Sequence, residues 1–117
     1  MSVRHQTRQL VEELFEALRE KAKEGEHTIY RVYVPAEAQD TEDYELSDQR
    51  VNFADQESIK AFLDRTTREA LENKVKGLEL VALILEVQGQ YFFSSKVELS
   101  DSTKEELIEK IEQLKEE

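Results

Sequence analysis

The 117-residue chain has no cysteine, which excludes disulfides, thiolate metal sites, cysteine nucleophiles and thiol redox chemistry. It has no tryptophan, a single proline, and three isolated glycines at 25, 77 and 89, so the usual glycine-rich phosphate loops are excluded. Long hydrophobic runs are also missing. The longest apolar stretch, Leu80 to Leu85, has six residues, against the roughly 20 that a membrane-spanning helix requires. Residues Met1 to Arg8 lead into an amphipathic, acidic pattern by Glu12 and lack the apolar stretch of a secretory signal, so a soluble, cytoplasmic protein is expected.

Basic residues are scarce relative to acidic ones: 16 Lys and Arg stand against 27 Asp and Glu, a formal net charge of -11. That charge repels phosphate backbones and anionic membranes, which argues against direct nucleic-acid or membrane binding. Long-range steering favours basic partners instead. Hydrophobic residues make up 38% of the chain, enough, with clear periodicity, for a folded core rather than disorder. The length fits one domain spanning 1–117.

Apolar residues at Val3, Leu10, Val11, Leu14, Phe15, Leu18 and Ala22 recur at helical spacing, with Ser2 placed to cap the start and Gly25 just past the end. Thr28 to Val34 is rich in β-branched and aromatic residues and stops at Pro35, as a strand would. Its alternation puts Tyr30, Val32 and Val34 on one face, and Arg31 and Tyr33 on the other. A second strand is predicted within Tyr44 to Phe53. Asp55 then caps a second helix carrying Ile59, Phe62, Leu63, Ala70, Leu71 and Val75, closed by Gly77. Strands from Leu78 and from Tyr91 to Leu99 follow, and a third helix starts at Asp101 or Ser102, with Leu107, Ile108, Ile111 and Leu114 inward. The predicted fold is α+β, in the order α-β-β-α-β-β-α, with a mostly antiparallel four-stranded sheet packed with three helices. The two helix-strand-strand units form a pseudo-repeat of architecture, without matching residues.

The run Leu80-Val81-Ala82-Leu83-Ile84-Leu85 is apolar on both faces, so it asks for cover on both sides. A helix of the same chain, a second copy in a homodimer, or a different partner would each supply it. A three-residue turn at Gln88-Gly89-Gln90 would place Val81, Leu83, Leu85 and Val87 with Tyr91, Phe93, Val97 and Leu99 on the core face. Leu80, Ala82, Ile84 and Phe92 would then form an apolar patch on the reverse face, a candidate partner surface unless the third helix or the 36–48 segment covers it. A two-residue turn would shift the pairing by one.

Few residues suggest chemistry. His5 and His27 sit in no motif, and Ser94-Ser95-Lys96 lies on a strand whose alternation separates neighbours. The acidic segment carries Glu37, Asp40, Glu42, Asp43, Glu45 and Asp48 without Lys or Arg, yet lacks the glycine and acid spacing of a calcium loop. No catalytic residue, metal or cofactor is expected. The reading is a non-enzymatic acidic protein that binds a basic or apolar protein surface, of the inhibitor, immunity or adaptor kind, through the acidic segment and the apolar patch. Clean helix caps and Glu-rich helix surfaces also fit an idealised, designed scaffold, although the irregular acidic segment speaks against it. A third alternative is a small-ligand carrier or enzyme with a pocket between sheet and helices, using Tyr30 and Tyr91.

Overall fold

In the computed structural model, which describes residues 2–22, 24–37 and 43–116, the elements are α1 (Val3–Ala22), β1 (Glu26–Pro35), β2 (Glu45–Asn52), α2 (Gln56–Val75), β3 (Leu78–Val87), β4 (Gln90–Ser95) and α3 (Asp101–Lys115). The strands form one antiparallel sheet in the order β2-β1-β3-β4. The two strands richest in apolar residues on both faces therefore lie in the middle, where both faces can be covered. The radius of gyration, 13.7 Å, is that of a single compact domain of this length.

Local signals account for most boundaries. Ser2 Oγ accepts from the His5 amide at 3.1 Å and Asp55 Oδ1 from the Glu57 amide at 3.0 Å, each satisfying an otherwise unpaired N–H of a helix start. Gly25 and Gly77 adopt φ of 111° and 84° just before β1 and β3, a conformation costly for other residues. Their carbonyls accept from the Phe53 and Ala36 amides at 2.8 Å, so both reversals are tied to the sheet. α3 begins at Asp101, one of the two expected starts, and is capped by Ser100, which accepts from the Thr103 amide at 3.2 Å.

The sheet separates two cores. On the first face α1 and α2 pack Val11, Phe15, Leu18, Ile59 and Phe62 against Ile29, Leu83 and Leu85. On the second, α3 lays Leu107 and Ile111 over Tyr30, Val32, Ala82 and Ile84. The doubly apolar run of β3 is thus covered on both sides by helices of its own chain.

Two details of the β3–β4 hairpin correct the sequence expectation. Val87 pairs with Gln90 and Leu85 with Phe92, so the turn has two residues, Gln88 and Gly89, both at positive φ (49° and 81°) as in a type I′ turn. Phe92 consequently faces the first core and Tyr91 and Phe93 the second. There is also a bulge in the β1–β3 pairing. Val32 pairs with Ala82 but Tyr33 with Leu80, leaving Val81 as an extra residue whose carbonyl accepts instead from the Lys96 amide and the Ser95 hydroxyl, both at 3.1 Å. The bulge reverses the alternation, so Leu80 joins Leu83 and Leu85 while Val81 joins Ala82 and Ile84. The expected face of Leu80, Ala82, Ile84 and Phe92 is therefore split between two buried layers. β4 ends at Ser95, and Val97, expected inside, is 51% exposed.

Candidate functional site

Among the described residues the second face carries the smaller of the two cores. Four strands about 4.8 Å apart separate their outer axes by roughly 14 Å, while one helix with side chains is roughly 10–12 Å across. Two helices cover the first face and one covers the second. α3 lies over the two central strands β1 and β3, with Lys104 over the Phe93 ring at 5.6 Å and Lys115 over the Tyr91 ring at 5.6 Å on the β4 side. On the β2 side the described residues leave two clefts. There Tyr44 forms a wall shared by a cleft of about 590 Å³, floored by Val34, Val81 and Leu99, and a cleft of about 210 Å³ between Leu46 and Leu114.

The groove has a charged border. The pairing of Val32 with Leu46 and of Tyr30 with Asp48 puts both Leu46 and Asp48 on this face. Glu79 and Glu98 border the larger cleft, with Lys96 held 3.8 Å from Glu79. Lys110 crosses from α3 and donates to the Tyr44 carbonyl at 3.1 Å, which ties the wall to the helix.

At the far end of α3, Tyr30 donates to Glu86 Oε1 at 2.9 Å, and Lys115 donates to both Glu86 and the Tyr91 hydroxyl. Burial, then the bond to Glu86, pushes the Tyr30 hydroxyl well above its usual range, so it stays a donor. The bond to Glu86 raises the Lys115 ammonium in turn. This cluster anchors the C-terminal turn of α3 to the sheet.

On the first face the buried guanidinium of Arg31 is fully partnered. It donates to Thr66 Oγ1 at 2.8 Å, Ser47 Oγ at 3.1 Å and Gln49 Oε1, lies 3.6 Å from Glu69, and stacks 5.1 Å from Phe62. Tyr33 and Ser47 each donate to the same Glu69 oxygen at 2.6 Å. Burial lowers the Arg31 pKa despite Glu69, whereas burial and the bond to Glu69 raise that of Tyr33. Among the described residues no buried side-chain polar atom lacks a partner. The network locks β1, the edge strand β2 and α2 together.

The acidic candidates lie mostly where a partner can reach them. Glu37, Asp43, Glu45 and Asp48 are exposed; Asp40 and Glu42 lie outside the described residues. Glu45 points to the opposite side of β2 from Asp48, so the two border the edge strand from both faces. Of the apolar candidates, Leu80, Ala82 and Ile84 are 4%, 0% and 0% exposed beneath the chain's own helices and offer no surface; Phe92 is half-buried beside Lys21. The groove residues Val34, Tyr44, Leu46 and Leu99 were not singled out from sequence. Tyr44 and Leu46 showed only a weak alternation, whereas Val34 and Leu99 were expected on strand faces without being marked as a surface. Of the two histidines, His5 is exposed on α1 and His27 packs beside Phe53 at 6.0 Å. No group of acidic or histidine side chains fit to hold a metal occurs among the described residues, and no described helix is long and apolar enough to cross a membrane.

The chain is similar over its whole length to a protein of Aquifex aeolicus (strain VF5) described as an "uncharacterized protein". The two are 42% identical over 119 residues, covering 100% of this chain and 99% of the relative. No family model and no solved structure matches.

Proposed function

We propose that this chain, which belongs to one family with the Aquifex aeolicus protein, acts by binding another protein and not by catalysis, and that the partner surface is basic. The observation that carries this reading is the uneven placement of charge. α1 and α2 each hold four basic and four acidic residues, so the first face is balanced. The excess lies elsewhere: residues 37–55 hold seven acidic residues against Arg50 alone, and residues 78–117 hold ten against four lysines. Of these, Glu79 and Glu98 border the larger cleft and Asp48 lies on the same sheet face. Such one-sided charge speeds encounter with a basic partner and orients it, while the apolar floor supplies contact once water is excluded.

The test is titration of labelled polylysine and of basic peptides at about 20 mM salt and again at about 300 mM, where the screening length falls well below 10 Å. Binding at low salt that weakens at high salt, and that is lost when Glu45 and Asp48 are both changed to Lys, supports the reading. Absence of any complex at low salt, or equal binding by the charge-reversed variant, overturns it. The natural full-length relative weighs against the designed-scaffold alternative. The 590 Å³ cleft, within the roughly 300–1,000 Å³ range of ligand sites, is the one observation that favours a small-ligand carrier. A broad ligand panel that raises the melting temperature would move the assignment there.

A further inference from the structure

We propose that two copies of this chain join through the free edge of β4, extending the sheet across a two-fold axis at Phe93, with the α1 helices of both copies packed side by side over the joint. The edge concerned is the one opposite β2, and the proposal does not rest on the preceding reading. The backbone supplies the first argument. Gln90 and Phe92 pair with Val87 and Leu85 across the two-residue turn, and the Lys96 amide, in the same alternation, donates to the Val81 carbonyl. These residues and Ser94 therefore turn their amides and carbonyls toward β3, while Tyr91, Phe93 and Ser95 turn theirs outward. Among the described residues, none bonds to the outward backbone of Tyr91 or Phe93. The two sheet edges also differ in chemistry. β2 carries exposed Glu45, Asp48 and Arg50, whereas β4 has no charged residue and no proline to discourage pairing. Lys21, Lys104 and Lys115 lie over the rings of Phe92, Phe93 and Tyr91, off the sheet plane and not in line with the edge. An antiparallel second copy, with Phe93 opposite its own counterpart and Tyr91 opposite Ser95, satisfies the outward groups of that span.

The second argument is the flank of α1, which selects a second copy over an unrelated strand. α1 lies over β3 and β4, so strands about 4.8 Å apart put the two α1 axes about 10 Å apart, the spacing of packed helices. Lys21 lies beside Gln90 and Phe92, and Leu10 beside Lys96, so α1 runs antiparallel to β4 and turns this flank to the edge. Ala17, exposed, falls between them at helical spacing and roughly abreast of Phe93. A small residue thus stands where the two helices come closest. Lys21 and Glu13 lie four residues from Ala17 in opposite directions, so about the same axis Lys21 of each copy faces Glu13 of the other. Both are exposed, and their charges are complementary. An unrelated strand would engage the edge but not this flank.

The test is sedimentation equilibrium of the full chain between about 1 and 500 μM, where mass action populates a dimer, with amide exchange followed at both ends of that range. The mass should rise from monomer to dimer, and the Tyr91 and Phe93 amides, exposed when dilute, should become protected with it. Glu13→Lys sets Lys against Lys21 twice in each dimer and should weaken association about tenfold. Combining Glu13→Lys with Lys21→Glu reverses both charges and should restore it. A monomer at every concentration overturns the proposal. So does a dimer that protects the β2 amides and leaves Tyr91 and Phe93 unchanged. If the β4 amides are protected but Glu13→Lys has no effect, or the double variant does not recover, the α1 contact and the axis at Phe93 are overturned. Because mass and exchange are read on the unmodified chain, misfolding of a variant would not remove the test.

Discussion

The two faces of one sheet are built differently. Among the described residues the first buries fifteen core side chains under two helices and the second seven; the first also stacks Phe15 on Phe53 at 5.6 Å and adds the Arg31 network. To the second core α3 contributes Leu107 and Ile111, and that layer relies on lysines that reach across from the helix to Phe93, Tyr91, Glu86 and the Tyr44 carbonyl. Burial stabilises in proportion to apolar area, so the first layer is the platform and the second the lightly held one. Surfaces used for recognition are commonly drawn from the less stable layer, because groups that meet a partner cannot also be sealed within the fold.

The largest expected effect tests the platform. Arg31→Ala should destabilise by about 4 kcal/mol in denaturant unfolding, because it leaves Glu69 and its neighbours without their charge partner and opens a hole against Phe62. Arg31→Met, which refills the space, should cost clearly less. If the two cost the same, lost packing would not matter and the network would act by charge alone.

Next comes a direct contrast between layers. Phe15→Ala should cost about 4 kcal/mol, whereas Ile111→Ala should fall near the lower end of the 2–5 kcal/mol range, because the smaller second core can collapse more readily around the missing atoms. Amide exchange should show α3 opening at lower free energy than α1 and α2, with Ile111→Ala widening that gap. Equal protection of all three helices would break the comparison.

Tyr30 and Tyr33 give a pH test with one residue on each face. Both hydroxyls have folded-state values raised above the unfolded value of about 10. Their contribution is fully present below that value. Above it the unfolded chain loses protons that the folded chain keeps, so stability should fall as pH climbs past about 10. Tyr33→Phe and Tyr30→Phe should each flatten that fall in denaturant midpoints measured between pH 9 and 11. A slope unchanged in both variants would contradict the assignment.

The smallest effect concerns the hairpin. Gln88 holds a φ of 49°, which Asn tolerates better, so Gln88→Asn should stabilise by about 0.5 kcal/mol in the same unfolding experiment. Destabilisation would mean that the turn is not held as a type I′ pair.

Element order and most boundaries were legible from local signals: Ser2, Asp55, the residues around Gly25 and Gly77, and the β-branched run at Thr28 to Val34. The register of the β3–β4 hairpin was not, since Gln88-Gly89 lacks the Asn or Asp that marks a two-residue turn. The bulge at Val81 left no trace in an unbroken apolar run. The Arg31 network was hidden for a different reason. Periodicity treats Arg31, Ser47, Gln49, Thr66 and Glu69 as outward polar residues, and only their convergence from three elements shows that they bury one another.

The residues alone determined that this would be an acidic, cysteine-free α+β chain with a central strand needing cover on both faces, because charge, composition and side-chain period act locally. Tertiary structure alone decided which side chains share a face, that α3 supplies the second cover, and that Tyr44 stands between two clefts beside that helix. A single inserted residue or a one-residue change in turn length inverts the faces of a strand, and the space left between packed elements belongs to no one stretch of sequence.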